Sequence, residues 1–235
     1  MSDNQQLDLF GSNTESVALP TDYSRFQPYH FHVERIILTK GSVSTPEQEV
    51  FVRRICDAYP DVSVEEMLDI PHNRVELGEE DPVKLHEMGR RTLVFGELKP
   101  KSAVRYAEVN DRERPRRWHF SVYGYCPYRC RYCYLSGNDG VWHSPTVKIY
   151  VNLPEILCEI GRQANSLDEP TVFTLGKLQD GLALDPLTAY STMLVPFFAK
   201  SRHARLLIQT KSASVERLLD LKHNGNTVLS WSLNP

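Results

Sequence analysis

The sequence lacks several features that would place it in a broad class at once. Its 235 residues contain no apolar run that approaches the roughly 18 residues needed to span a bilayer. The opening stretch MSDNQQLDLFGSNTES is too polar for a secretory signal peptide. The formal net charge is only −3, so the composition does not indicate a strongly basic nucleic-acid-binding protein. With 41% hydrophobic and 24% charged residues, we expect a globular, cytoplasmic protein.

Cysteine is scarce, and its spacing argues against a disulfide framework. Of the five cysteines, three crowd together as Cys126, Cys130 and Cys133. In a reducing compartment, clustered thiols usually bind metal. Cys56 and Cys158 fall on apolar faces of predicted helices, and we expect both to be buried.

Composition and periodicity divide the chain into three parts. Residues 1–27 are rich in Ser, Asn, Asp and Gln and are predicted to form a disordered tail. Residues 28–110 are predicted to form a small α/β region. Its strands are expected at 31–38 and 91–97, and its helices at 45–59, 61–69 and 81–88.

Residues 111–235 show a regular alternation of strands and helices. Strands are predicted at 118–123, 171–175, 205–210 and 227–233, and helices at 153–164, 186–200 and 215–223. This alternation predicts right-handed βαβ units and a parallel sheet. Four such strands are fewer than a closed parallel barrel needs, so a truncated or split protein is an open alternative.

The strongest chemical signal is a C-x3-C-x2-C pattern directly after a predicted strand. It reads Cys126-Pro-Tyr-Arg-Cys130-Arg-Tyr-Cys133. Three thiolates can hold three irons of a [4Fe–4S] cluster and leave the fourth iron open for a second ligand. The alternative is a structural zinc ion, which normally has four ligands at comparably short spacing. No second pair of ligands follows at such spacing, which favours the cluster.

Longer segments in and around this pattern narrow the choice of protein family. They are 70–75 (IPHNRV), 91–96 (RTLVFG), 126–135 (CPYRCRYCYL), 150–157 (YVNLPEIL), 210–211 (TK), 218–225 (LLDLKHNG) and 232–234 (SLN). In these segments the sequence resembles the spore photoproduct lyase family of radical S-adenosylmethionine (SAM) enzymes. Members of that family repair the ultraviolet-induced thymine dimer of spores. The resemblance implies an α/β fold, with a partial (β/α) radical SAM barrel at 111–235 and a small N-terminal α/β region.

The resemblance also implies cofactors, partners and site residues. The cofactors are a [4Fe–4S] cluster held by the three cysteines and SAM, and the partners are DNA and an electron donor. Tyr134 matches an aromatic residue beside the adenine of SAM, and Lys211 matches a lysine that meets the SAM carboxylate. Ser232 and Asn234 match polar residues near its methionine and ribose parts. Without the resemblance, Lys211 would be taken for a solvated loop lysine.

The sequence departs from the family in two respects. Lys177 occupies the position of the cysteine that donates a hydrogen atom to the product radical, and an N–H bond is a poor donor of hydrogen atoms compared with a thiol. No catalytic residue is therefore assigned. The family also continues with further strands and a substrate-binding hairpin that have no counterpart here, so substrate residues are not assigned.

Two further segments indicate partners. Gln6-Leu7-Asp8-Leu9-Phe10 resembles the short peptide with which bacterial DNA polymerases and repair proteins bind the replication sliding clamp. The basic connector, residues 111–117, carries four arginines that either contact phosphates or form a solvated surface. A second function of a different class therefore stays open, a non-catalytic iron–sulfur or clamp-binding module.

Overall fold

A computed structural model describes Leu19 and residues 31–106, 117–133 and 145–233. The strands in these residues are β1 (Arg35–Thr39), β2 (Val64–Met67), β3 (Thr92–Gly96), β4 (Val104–Tyr106), β5 (Arg117–Phe120), β6 (Tyr123–Gly124), β7 (Val147–Tyr150), β8 (Thr171–Leu175), β9 (Ala204–Thr210) and β10 (Thr227–Trp231). The helices are α1 (Pro46–Asp57), α2 (Pro82–Arg90), α3 (Pro100–Ala103), α4 (Leu153–Asn165), α5 (Asp185–Thr188) and α6 (Ser191–Ala199), with 3₁₀ turns at His72–Arg74 and Glu216–Leu218. Within these ranges, no helix has the length and apolar character required to cross a membrane.

The strands form two five-stranded sheets, each mostly parallel. The first sheet has the order β2-β1-β3-β7-β6, and only β6 runs antiparallel to its neighbour. The second has the order β10-β9-β8-β5-β4, and only β4 runs antiparallel. Residues of β3 and β7 are buried throughout, as expected of parallel strands covered on both faces.

The chain passes from the second sheet to the first immediately before the cysteine loop. Only Ser121 and Val122 separate β5 from β6. The N–H of Ser121 donates to the carbonyl of Ala103 at 3.0 Å, and the carbonyl of Val122 accepts from the N–H of Tyr150 at 3.1 Å. The crossing is therefore anchored on both sides by backbone hydrogen bonds.

Local sequence signals explain several elements at the expected places. Thr45 caps α1 and forms a reciprocal capping box with Gln48, and the helix buries Phe51, Val52 and Ile55. Asp81 caps α2 by accepting from the first backbone N–H groups of the helix. Each cap defines the residue at which its helix begins. The predicted starts of α1 and α2 therefore agree with the structure to within one residue.

Three predicted helices are wrong or only partly right. The segment 61–69 is not a helix, because its central residues pair with β1 as β2 and Glu65 accepts two 2.8 Å hydrogen bonds from Arg35. The segment 215–223 contains only a 3₁₀ turn, held in place by Arg217 donating to the carbonyl of Asp185 at 2.9 Å. The segment 186–200 is divided into α5 and α6, because Ala189 adopts a left-handed φ of 54°. The short strands β4, β6 and β7 were not predicted.

The two cysteines outside the loop have different surroundings. Cys56 in α1 is partly buried and packs against the core, which meets the expectation of burial only in part. Cys158 is exposed, contrary to the expectation, because α4 turns a different stripe of residues to the core. The buried stripe includes Leu153, Ile156 and Ile160.

Each sheet contains strands from both sides of the domain boundary that is predicted near residue 110. β7 pairs with β3 in the first sheet, and β4 pairs with β5 in the second. One hydrophobic cluster also contains residues of both sheets, such as Phe95 and Phe173. The division into regions at this position stays a prediction about the chain's organisation.

Candidate functional site

A cavity of about 400 Å³ opens where parallel strands of the second sheet end. Its wall combines residues from the cysteine loop, from the loop after β8 and from the end of β9. Three thiols line it, those of Cys126, Cys130 and Cys133, together with the ammonium groups of Lys177 and Lys211. Carboxyl ends of parallel strands are where α/β proteins commonly bind ligands. The structure thus places the predicted cluster cysteines in one cavity wall with Lys211, which was predicted to bind SAM, and with Lys177.

The cysteine loop presents thiols that are not engaged in disulfides. The N–H of Cys133 donates to the carbonyl of Cys130 at 3.0 Å, which closes the loop into a turn. Burial raises the pKa of the Cys126 thiol to about 12, so this thiol keeps its proton unless a metal displaces it. In the described part of the chain, no three His, Cys, Asp or Glu side chains converge on one metal ion.

These features fit an iron–sulfur cluster as the group held by the loop. Soft thiolates are the ligands that iron–sulfur clusters take from proteins, and a cluster spreads them over separate irons. The cavity in front of the thiols offers room for a second ligand beside the cluster. The donor set and the space therefore agree with the chemistry expected from the sequence.

Helix α2, which precedes β3 of the first sheet, contacts the cysteine loop through two side chains. The Tyr125 hydroxyl and the His86 Nδ1 share a hydrogen bond, and Arg129 forms an ion pair with Glu87. Tyr125 itself has a positive φ of 63°, which turns the chain directly into Cys126. Side chains thus hold the loop at its start and near its middle.

Asp180 connects the loop after β8 to the end of β9. Its carboxylate accepts hydrogen bonds of 2.6 Å from both the Thr210 hydroxyl and the Lys211 N–H. It also accepts from the N–H groups of Leu182 and Ala183, at 3.0 and 2.9 Å. Four hydrogen bonds to one buried carboxylate fix the backbone from which the Lys211 side chain extends.

Gly176 allows the same loop to lie close to β9. It has a φ of 127°, and a Cβ at this position would lie 2.8 Å from the carbonyl oxygen of Gln209. A side chain here would push the loop away from the strand end. Glycine therefore sets the position of the following residue, Lys177.

His119 lies beside Lys177 in the cavity wall. Burial lowers the pKa of His119, and the nearby charges of Lys177 and Arg117 lower it further. Within the described residues, the His119 Nδ1 is buried without a hydrogen-bond partner. A neutral imidazole in a ligand cavity is available to a bound molecule as a donor or an acceptor.

Sequence reasoning missed Asp180 and His119 as site residues. Asp180 follows the end of a predicted strand, and His119 lies within another, so a signal was present in the order of the elements. Reading polar residues at the ends of neighbouring parallel strands as one group would have found Asp180.

Of the remaining predicted cofactor residues, Ser232 is the one that the structure describes. Ser232 is exposed after β10 and does not line the cavity, although its N–H donates to the carbonyl of Thr210 at 2.9 Å. Tyr134, Asn234, the peptide Gln6–Phe10 and the connector residues 111–116 lie outside the described residues. Their expected roles stay predictions.

The fold and the three-thiol loop at the carboxyl edge of a parallel sheet define a partial (β/α) barrel of the radical SAM class. A solved structure of a spore photoproduct lyase double mutant, with bound AdoMet and dinucleoside spore photoproduct, matches the chain with a TM-score of 0.72 at 24% identity. The match covers 88% of this chain and 58% of that structure, and it confirms the fold class expected from the sequence.

The family is shown by sequence. The family profile described as spore photoproduct lyase matches residues 46–235, and the chain therefore belongs to the spore photoproduct lyase family. The spore photoproduct lyase of Bacillus subtilis strain 168 is 28% identical over 181 residues, which are 76% of this chain and 50% of that protein. That of Clostridium acetobutylicum is 27% identical over 147 residues, 62% of this chain and 41% of that protein. The chain thus spans half or less of the length of these relatives.

Proposed function

We propose that this chain binds a [4Fe–4S] cluster through Cys126, Cys130 and Cys133, binds SAM in the adjoining cavity, and acts on photoproduct-bearing DNA. The observation that carries the proposal is that the three thiols and Lys211 open into one cavity at the carboxyl edge of the sheet. The solved relative with AdoMet and dinucleoside spore photoproduct supports the choice of cofactor and substrate class. Reduced thiols agree with the cytoplasmic location expected from the sequence.

In this proposal, the chain's own residues bind and orient the cofactor. When bound, the cluster and SAM supply a 5′-deoxyadenosyl radical after transfer of one electron from an external donor. The Lys211 ammonium meets the SAM carboxylate as a point charge, and the hydrogen bonds of Asp180 hold the backbone of Lys211 in place. The neutral His119 ring lines the same cavity and offers a polar contact there.

Lys177 changes the later part of the chemistry. Lys177 lines the cavity, and the resemblance described above implies that it replaces the family's hydrogen-donor cysteine. An ammonium group holds its hydrogens too strongly to give up a hydrogen atom as readily as a thiol does. We therefore propose a lyase-like protein in which the product radical receives its hydrogen atom from a different donor or receives it inefficiently.

The proposal is tested by reconstituting the full chain with iron and sulfide in the absence of oxygen. We expect about four irons and four sulfides per chain, and loss of the visible absorption in Cys130→Ala. Cys158→Ala is the matched control, because Cys158 is exposed on α4 away from the loop. Stoichiometric zinc without sulfide in anaerobically purified protein would overturn the proposal.

The N-terminal peptide Gln6–Phe10 supports a proposed contact with the replication sliding clamp. A short apolar motif within a polar segment can bind in a groove that accepts short extended peptides. Titrating a purified clamp with the full chain and with a Leu9→Ala, Phe10→Ala variant tests it. Equal binding by the two proteins would rule this contact out.

A further inference from the structure

A second cavity, of about 430 Å³, lies on the other side of the cysteine loop. We call it the arginine cavity, because three guanidinium groups line it, those of Arg90, Arg91 and Arg129. His32 and the rings of Phe31 and Tyr128 complete its wall. The proposed function assigns no role to this cavity.

Two of the three arginines of the arginine cavity form partly exposed ion pairs, and the third is buried and held by a hydrogen bond. Arg91 pairs with Glu34 at 2.7 Å, and Arg129 pairs with Glu87. Both pairs are partly exposed to solvent, and surface pairs of this kind contribute little and exchange partners readily. Arg90 is only 6% exposed and forms a hydrogen bond with Tyr125, which fixes its position.

The chemistry of this wall matches a phosphate with an attached planar group. Guanidinium groups bind phosphate oxygens in a forked, bidentate geometry that ammonium groups do not provide. The partly exposed Tyr128 ring supplies a surface on which a base can stack, and the buried Phe31 ring forms part of the floor behind it. The volume is within the range of pockets that hold small ligands, and one nucleotide fits that description. A concave shape favours such a ligand over the flat surface of a protein partner.

Tyr128 lines both the arginine cavity and the candidate site. The two cavities are therefore neighbours separated by the cysteine loop. Consecutive nucleotides of a strand lie only a few ångströms apart, so a strand that enters one cavity continues past the other. We propose that the arginine cavity binds the phosphate of a nucleotide beside the damaged base. This inference rests on the proposed function, because it takes DNA as the substrate.

The test measures binding of a fluorescent single-stranded oligothymidylate to the full chain over a range of salt concentrations. Each phosphate contact to single-stranded DNA contributes about −0.7 to the slope of log K against log salt. In Arg91→Gln we expect roughly fivefold weaker binding at low salt and a slope shallower by about that amount. Arg53→Gln is the matched control, since Arg53 is a surface arginine that pairs with Glu49 in α1. Equal affinities and slopes for the two variants would overturn the inference.

A second measurement places the contact on the ligand. Replacing single phosphates by neutral methylphosphonates should weaken binding to the wild-type chain most at one position. In Arg91→Gln the same replacement should have little further effect, because the partner is already missing. Independent, additive effects of the two changes would contradict a direct contact. Competition by dTMP but not by inorganic phosphate would show that the base contributes alongside the phosphate, whereas equal competition would reduce the inference to a bare phosphate site.

Failure of the inference can be told apart from failure of the proposed function. Iron and sulfide contents are measured for each variant without DNA. Normal iron content with lost DNA affinity in Arg91→Gln supports the phosphate contact. Loss of iron together with affinity would instead show that Arg91 only supports the cysteine loop and would overturn the contact. A wild-type chain that binds DNA but no cluster would refute the proposed function alone.

Discussion

The Lys211 ammonium lies 5.8 Å from the centroid of the Tyr132 ring. Tyr132 belongs to the cysteine loop, whereas Lys211 directly follows β9, so this cation–π contact connects the loop to the end of the sheet. It directs the ammonium toward the side of the cavity where the thiols lie. This position of the Lys211 ammonium supports its proposed contact with the carboxylate of SAM.

Removing this ammonium should weaken SAM binding. In Lys211→Ala we expect a loss of about 1.5–3 kcal/mol, the range for a hydrogen bond to a charged group. Electron paramagnetic resonance of the reduced cluster during a SAM titration gives the measurement. Lys222→Ala, which changes an exposed lysine of a later loop, serves as the control. A SAM-induced spectral change of the same midpoint in both variants would contradict the assignment.

Exchanging Lys177 for cysteine should restore the family's hydrogen donor. With a photoproduct-bearing oligonucleotide, we expect the wild-type chain to form 5′-deoxyadenosine with little repaired thymine. Lys177→Cys should raise the ratio of repaired thymine to 5′-deoxyadenosine, measured by chromatography. Lys177→Ser tests whether side-chain size alone is responsible, because serine is of similar size but lacks the weak S–H bond. Efficient repair by the wild-type chain would show that another residue donates hydrogen.

Asp180→Asn should destabilise the chain and disturb the cavity. The amide NH₂ group would face either the Lys211 N–H or the Leu182 and Ala183 N–H groups, all of which need an acceptor. We expect a decrease of about 1–3 kcal/mol in the free energy of unfolding, because at least one buried donor loses its partner. Urea unfolding provides the measurement, and Asp168→Asn at an exposed position is the control. Equal stability of the two variants would refute this role.

Lys148 should make the stability depend on pH. Burial lowers the pKa of Lys148 from its usual value of 10.5 to about 7. Between these values the unfolded chain binds a proton that the folded chain does not. The free energy of unfolding should therefore rise with pH from about 7 to about 10, by up to about 1.4 kcal/mol per pH unit.

Lys148→Met tests this dependence. The variant should be more stable than the wild-type chain at pH 7, and the difference should shrink as the pH rises. Urea unfolding at pH 7, 8 and 9 measures it, with Lys40→Met at an exposed position as the control. A difference that stays constant over this range would show that Lys148 does not titrate as its burial implies.

Much of the second sheet could be predicted because its local signals agree with its tertiary structure. β8 has the predicted bounds, Thr171–Leu175, since a run of buried β-branched and aromatic residues forms a central strand. β2 was mistaken for a helix because Glu and Met favour helices, whereas pairing with β1 decides its conformation. Propensity thus failed where a strand at the sheet edge depends on a distant partner.

The residues of the candidate site could be predicted only where they belong to a short sequence motif or directly follow a predicted strand. The cysteines share one loop, and Lys177 and Lys211 each follow a predicted strand. His119 and the arginine cavity were missed, since Arg90 and Arg129 are distant in sequence and meet only through the packing of α2 on the loop. Periodicity carries no information about such a contact.

The short crossing between the two sheets has a consequence for how the cluster is acquired. Because hydrogen bonds fix Ser121 and Val122 on either side, the first thiol starts from a point that is already set in the folded chain. The N–H of Tyr123 adds a further tie, donating to the Gln179 side chain at 3.1 Å. These hydrogen bonds fix the residues that lead into the cysteine loop, so binding of the proposed cluster costs less conformational entropy at that end of the loop. We therefore expect insertion of the proposed cluster to follow folding, unlike the metal-driven folding of a zinc finger.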